Sequence, residues 1–169
     1  RKLCIKLSIT PTYSIPYAPQ TNGKIERWNL TSVDAIRTNM FGVDQRVWDQ
    51  CAKYCAYIWN RLPKRNEKKS PFELRFGHAP SSSKFRRFGC LAYAKIHTAR
   101  TKLAPKFETG IFLGYAKNSS FLVGVWRKDA RSKDGEKFTI IENHAVKFNE
   151  DQLVSSIDHL RVLKAESYT

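Results

Sequence analysis

Tyr17-Ala18-Pro19-Gln20-Thr21-Asn22-Gly23-Lys24-Ile25-Glu26-Arg27 is the stretch from which the rest of the chain is read. A Pro-Gln turn and an Asn-Gly pair lead into a periodic apolar run, the pattern with which helices begin. Ile25, Trp28, Ile36 and Met40, with Ala35 beside them, recur at helical spacing and predict one buried stripe on a helix from about Asn22 to Met40 that stops near Gly42. Glu26 falls in the first turn, about 100° round the helix from Ile25. That places its carboxylate at the edge of the buried stripe, where it can be held rigidly and still meet solvent or a ligand.

Length and composition bound what such a helix can belong to. With 169 residues and 41% hydrophobic content the chain can build a packed core in one domain or two small ones. No apolar run reaches membrane-spanning length, and the start has no signal-peptide pattern. The first residue is Arg1 and not Met, which suggests a piece of something longer or a trimmed chain. The net charge is +15, and the excess is spread through the chain: 14 basic against 6 acidic residues in 1–80, and 16 against 9 in the remainder. A basic fold of this kind attracts polyanions, nucleic acid above all. Cys4, Cys51, Cys55 and Cys90 have no framework spacing, and His78, His97, His144 and His159 are scattered, so no closed set of four zinc ligands forms. The thiols read as reduced and mostly buried, as in an intracellular protein.

Outward from the helix, Ile5, Leu7 and Ile9 alternate with polar residues and predict a half-covered strand between Leu3 and Ile9, followed by a loop punctuated by Pro11, Pro16 and Pro19. Asp44 is placed to cap a second helix. Val47, Trp48, Cys51, Cys55, Ile58, Trp59 and Leu62 give it a wide apolar stripe that ends at Pro63, and its Trp residues and Tyr54 read as packing residues. The basic loop Lys64 to Lys69 is either a solvated surface or a contact for phosphates. Ser70-Pro71-Phe72-Glu73 has the form of a capping box, with Gly77 as the stop of a short helix. Ser81-Ser82-Ser83 marks a linker, and beyond it the period changes to two. Leu91 to Ile96, Ile111 to Tyr115, Phe121 to Trp126, Phe138 to Ile141 and Ala145 to Phe148 read as five short strands of a small antiparallel barrel or sandwich. Asp134-Gly135 signals a tight two-residue hairpin. Residues 151–169 are mixed and polar, with one short helix around Val154 to Leu163.

Several of these stretches together resemble the integrases of copia-type LTR retrotransposons. Pro16, Tyr17, Pro19, Gln20, Asn22, Gly23, Glu26, Arg27 and Asn29 match the pattern around the third acidic residue of that family, nine positions in fourteen. Asn60-Arg61-Leu62-Pro63, Ser70-Pro71-Phe72-Glu73-Leu74, Phe76-Gly77, Phe88-Gly89-Cys90-Leu91-Ala92-Tyr93 and Gly110-Ile111-Phe112-Leu113-Gly114-Tyr115 continue the match in order, so the resemblance covers roughly residues 1–150. Leu30 departs from it, standing where many relatives have Arg.

The resemblance implies an α+β chain: the C-terminal part of an RNase H-like integrase core over residues 1–80, mostly helical here, a linker at 81–84, a small antiparallel SH3-like β-barrel over 85–150, and a polar tail over 151–169. It implies that Glu26 is the third acid of a catalytic trio holding two Mg²⁺ (or Mn²⁺) ions, which activate the attacking oxygen and steady the leaving oxygen of DNA strand transfer. The family's second acid lies some three dozen residues before this Glu and its first further back, so two of the three ligands fall outside the chain. Asp34, Asp44 and Asp49 follow Glu26 and match no catalytic motif. The isolated chain is therefore expected to be inactive and to hold no metal tightly, and its helices are expected to expose apolar stripes where the absent strands would pack. The family's His/His/Cys/Cys zinc module has no counterpart in these residues.

As partners the resemblance implies DNA and, in the parent, an integrase oligomer, with no membrane. The site of action would be nuclear, with the parent also in cytoplasmic virus-like particles. Asn22 can present an amide to DNA or cap the helix. Lys24, Arg27 and Arg37 can meet phosphates or remain solvated charge. In the barrel, Arg86, Arg87, Lys95, Arg100, Lys102, Lys106, Arg127, Lys128, Arg131 and Lys133 predict a basic surface able to make sequence-independent, salt-sensitive phosphate contacts. Trp126 and Tyr115 read as core residues or as base-stacking rings. Two other functional classes fit the same residues: a non-catalytic DNA- or chromatin-binding module that has lost its active site, and an assembly fragment that only pairs with other integrase chains.

Overall fold

The computed structural model describes residues 2–10, 13, 16, 22–96, 105–128, 131, 135–158 and 160. The Pro-Gln turn of the opening stretch, Pro11, Arg100, Lys102, Lys133 and Asp134 lie outside the described residues. The chain forms two compact units that divide between Asp34 and Ala35, inside the long helix α2 (Gly23–Asn39).

In the first unit, residues Lys2–Lys6 form a short helix, α1, where alternation predicted a strand. Leu7 N–H donates to the Leu3 carbonyl at 3.0 Å and Ile9 N–H to the Cys4 carbonyl at 2.8 Å, so the backbone is satisfied locally. A strand needs a neighbour for its ladder, and among the described residues no strand lies before Cys90. Leu3, Ile5, Leu7 and Ile9 are all exposed. α2 starts and stops where the spacing predicts, with Gly42 taking a positive φ of 73° in the turn beyond it. Its stripe is less covered than expected: Ile36 and Met40, which belong to the second unit, are packed against that unit's own core, whereas Ile25 and Trp28 of the first unit are exposed.

The second unit contains helices α3 (Trp48–Trp59) and α4 (Pro71–Phe76) and the strands β1 (Cys90–Lys95), β2 (Phe107–Tyr115), β3 (Phe121–Lys128), β4 (Glu136–Asn143) and β5 (Val146–Leu153). All five predicted strands are present: β2, β3 and β4 are longer than expected, β1 is shifted by one residue and leaves out Ile96, and β5 leaves out Ala145 and runs on to Leu153. They make one antiparallel sheet in the order β4-β3-β2-β1-β5, a four-strand meander (β1 to β4) followed by a fifth strand, β5, that returns to the other side of β1. Leu91 faces Ile111, Ile111 faces Gly124, and Gly124 faces Ile140, which fixes one register across four strands. The β3-β4 ladder ends with Lys128 opposite Glu136, and the tight turn expected at Asp134-Gly135 falls mostly outside the described residues.

The core crosses the expected linker. Cys51, Tyr54 and Cys55 of α3 are buried in one cluster with Phe88, Leu91, Ile111, Phe112 and Leu113. Residues 81–84, expected to separate two domains, instead include a 3-10 turn (Ser82–Lys84) inside the second unit. A ring ladder ties the helices to the sheet: Tyr115 of β2 stacks on Tyr57 of α3 at 4.0 Å, and the Arg61 guanidinium lies 3.4 Å from the Tyr57 ring centre and 4.8 Å from that of Phe72 on α4. α4 keeps its predicted ends. Ser70 Oγ accepts from Glu73 N–H at 3.1 Å, Pro71 opens the helix, and Gly77 closes it in the left-handed region. Trp48, expected to pack, is instead 62% exposed. It is the first residue of α3, one turn before Cys51, at the open end of the stripe that Cys51 and Cys55 bury.

Two details hold the ends of this unit together. Gly89 has a positive φ of 77°, and a side chain there would overlap Val43. Its carbonyl accepts from Val154 N–H at 3.0 Å. Val154, Ile157 and Leu160 are buried, so the described residues after β5 form a strap over the core where a polar tail was expected, and residues 161–169 of that tail lie outside the described residues. The anchor of the strap is Asp44. One carboxylate oxygen caps the turn before α3 by accepting from Arg46 N–H at 2.9 Å, the other accepts from Ile157 N–H at 2.9 Å, and Arg46 bridges Asp44 to Asp158. The Arg46 guanidinium and the two backbone N–H groups hold the Asp44 carboxyl well below the usual carboxylate range. A depressed pKa means that this stabilisation is complete above the unfolded carboxylate value and is lost as pH falls through the folded one. Asp44→Ala is expected to cost about 2–3 kcal/mol, combining a lost cap with an orphaned Ile157 N–H. Urea unfolding at neutral pH checks this, and the gap to wild type is expected to narrow only in strong acid.

Candidate nucleic-acid interface

α2 begins with the residues that the sequence singles out. Asn22 directly precedes it, Lys24, Glu26 and Arg27 lie in its first turns, and all four are exposed. A carboxylate in the first turn is favoured by the unpaired N–H groups and the dipole at that end. Arg27 lends its carbonyl to Thr31 Oγ1 at 2.9 Å, a bond internal to the helix that leaves its guanidinium exposed. Arg37 is exposed too, but it lies in the last turn of α2 and in the second unit, so the structure gathers Asn22, Lys24, Glu26 and Arg27 without it. The apolar side chains of the same stretch of helix are uncovered too: Ile25 and Trp28, one turn apart on one side, are 45% and 54% exposed, and Leu30, on another side, is 70% exposed.

Among the described residues no three His, Cys, Asp or Glu side chains come together in a way that could hold a metal ion. Glu26 alone does not fit a two-ion site, since each Mg²⁺ takes several oxygen ligands. The thiols offer no substitute. Burial pushes Cys90 up to about 12, and Cys51 is raised by its hydrogen bond with Cys55 and by burial. Cys51, Cys55 and Cys90 are buried core residues. No helix among the described residues is long and apolar enough to cross a membrane.

The cations of the sheet fall into two groups. Arg127 pairs with Glu108 at 2.6 Å, and Arg86 pairs with Glu150 at 3.7 Å while lying over the Phe148 ring. Their charge is used inside the fold, and the Arg127 guanidinium is raised by its hydrogen bond to Glu108. Lys95, Lys106, Lys128 and the cations of the 64–69 loop are exposed. Lys147, which the sequence reading passed over, is exposed on β5 with its ammonium 5.2 Å from the centre of the Phe107 ring. Its signal was its place in an alternating strand, where Lys147 faces outward between Val146 and Phe148. Tyr115 and Trp126 serve packing: the Tyr115 hydroxyl accepts from Arg86 N–H at 2.9 Å, and Trp126 Nε1–H donates to the Ile157 carbonyl at 2.7 Å.

Comparison with known proteins agrees with this architecture. Residues 90–161 match the family described as the retroviral polymerase SH3-like domain, which takes in the strap after β5. The chain is 28% identical over 159 residues to the retrovirus-related Pol polyprotein from transposon TNT 1-94 of Nicotiana tabacum, an alignment that covers 92% of this chain and 11% of that protein. It is 32% identical over 111 residues to the retrovirus-related Pol polyproteins from transposons RE1 and RE2 of Arabidopsis thaliana, covering 63% of this chain and 8% of each of those proteins. The chain thus spans about a tenth of the length of these curated relatives. No solved structure matches it.

Proposed function

The chain is homologous to the Pol polyproteins of plant retrotransposons and carries a retroviral-polymerase SH3-like domain over residues 90–161, and from that premise we propose that it is a DNA-binding piece of a copia-type integrase. Residues before the sheet would be the C-terminal part of an RNase H-like core, and Glu26 the third acid of a strand-transfer site whose other acids lie outside this chain. Asn22, Lys24, Arg27 and Arg37 would meet the DNA backbone. The observation that carries the reading is the exposure of Glu26 on the first turn of a helix whose neighbouring apolar face, Ile25 and Trp28, is uncovered. A carboxylate so placed is free to join ligands supplied from elsewhere, and a face so bare is one that further strands of a core would bury. The described residues do not assemble a metal site by themselves, so Mg²⁺ or Mn²⁺ would be bound only with the missing acids, and the chain alone would not transfer strands.

The net charge of +15 also supports a second reading, a DNA- or chromatin-binding module without catalysis. Both readings require binding to duplex DNA without divalent metal, whereas a piece that only pairs with other integrase chains does not. Titrating labelled duplex with the whole chain in EDTA is expected to give binding that weakens steeply between low and physiological salt, with a log–log slope that counts the phosphates contacted at about 0.9 each. A chain that leaves the duplex unbound at low salt would rule out both.

A further inference from the structure

In an antiparallel sheet, residues directly opposite one another share a face. Tyr93 of β1 lies opposite Lys147 of β5 and Thr109 of β2, and Lys95, two residues along on the same face, lies opposite Phe107. Tyr93, Lys95, Phe107 and Lys147 therefore gather at one end of the β2-β1-β5 face. The Lys147 ammonium over the Phe107 ring confirms the placement, because these two residues sit on strands that flank β1, and only side chains on a common face can meet across it. Lys95 and Lys147 are exposed, while Tyr93 and Phe107 are half-buried beneath them.

This patch differs from the other cation sites of the sheet. Arg86 and Arg127 have carboxylates of their own, but among the described residues neither Lys95 nor Lys147 has one at ion-pair distance. Glu108, the acid closest in sequence to Phe107, lies opposite Ala94 and so points to the other face, where it holds Arg127. Two like charges held as diagonal neighbours on one face repel, and an anion lying over both offsets that repulsion. The ring beneath Lys147 also holds its ammonium in place by cation–π attraction, so less rotamer freedom remains to be lost on contact.

We propose that this end of the β2-β1-β5 face is where the sheet contacts the phosphate backbone of duplex DNA, with Lys95 and Lys147 each taking a phosphate and Phe107 positioning Lys147. The inference rests on the DNA-binding reading above and narrows it from a generally basic surface to one patch. The test compares the whole chain with Lys95→Ala/Lys147→Ala and with a charge-matched control, Lys117→Ala/Lys137→Ala, two exposed lysines, one between β2 and β3 and one on β4. Each is titrated with the same short duplex in EDTA across a salt series, with thermal melting as the check on folding. The patch variant is expected to melt like wild type, to bind roughly tenfold or more weakly near physiological salt, and to lose about 2 from the magnitude of the log–log slope, with the control losing less than half as much. Equal losses in the two variants would overturn the patch while leaving the DNA-binding reading intact. A wild-type chain without salt-sensitive binding would overturn both.

Discussion

Phe112→Ala is expected to remove about 3–5 kcal/mol of stability, read as a lower urea midpoint and melting temperature. Phe112 is fully buried at the point where α3 meets the sheet. Its ring meets Tyr54 of α3 edge-on at 6.2 Å, Tyr115 of its own strand at 5.4 Å, Phe121 of β3 at 6.1 Å and Phe148 of β5 at 5.3 Å. Truncation costs the transfer energy of the ring and leaves a void bounded by one helix and three strands, none of which can move in without breaking its register. Because natural domains hold only about 5–15 kcal/mol in all, the variant stands near the edge of folding. The loss should appear in the helices as well as the strands. If α3 and the sheet were separate domains joined at 81–84, helical signal would survive the unfolding of the sheet. A single transition seen by far-ultraviolet helical signal and by near-ultraviolet aromatic signal is the outcome that a shared core requires.

The sequence spoke clearly wherever structure is set by neighbours along the chain. Ser70, Pro71 and Gly77 mark the ends of α4 because capping is a matter of a few residues, and short apolar or alternating runs from Leu91 onward marked all five strands, of which β1, β2 and β3 are buried on both faces at their centres. It misled where a distant partner decides. Ile5, Leu7 and Ile9 alternate as a strand does, yet without a described neighbour to ladder with, the backbone closes on itself as α1. Ser81-Ser82-Ser83 looked like a boundary because it is polar and small, but Cys51, Tyr54 and Cys55 pack across it onto Phe88 and Phe112, and no local pattern reports that. Val154, Ile157 and Leu160 recur every third residue in a polar background. That spacing was a legible sign of a buried strap, outweighed by the charge around it. The basic surface was overestimated for a similar reason: Glu108 and Glu150 neutralise Arg127 and Arg86 across strands that the linear sequence keeps apart. Of the candidate site, periodicity placed Asn22, Lys24, Glu26 and Arg27 at the start of a helix, but it also predicted a buried stripe beside them at Ile25 and Trp28 that is exposed, and anything that Glu26 joins must come from outside these residues.

Glu26→Gln is the second change expected to have a large effect, and it separates a catalytic carboxylate from a solvated one. Gln keeps the size and helix propensity of Glu and removes the charge that a divalent ion requires of its ligand. On an exposed first turn the substitution should leave folding within about 0.5 kcal/mol of wild type, the range of ordinary surface changes with a little helix-dipole energy lost. Duplex binding in EDTA should be unchanged or slightly tighter, since a negative charge would have left the helix that the proposal sets against phosphates. The decisive measurement is metal-dependent DNA strand transfer by this chain extended upstream through its own reading frame, with Glu26 and with Glu26→Gln, at matched duplex binding. The account predicts transfer with Glu26 and a loss on the order of 10²- to 10³-fold or more with Gln. Transfer at equal rates in the two proteins would contradict it.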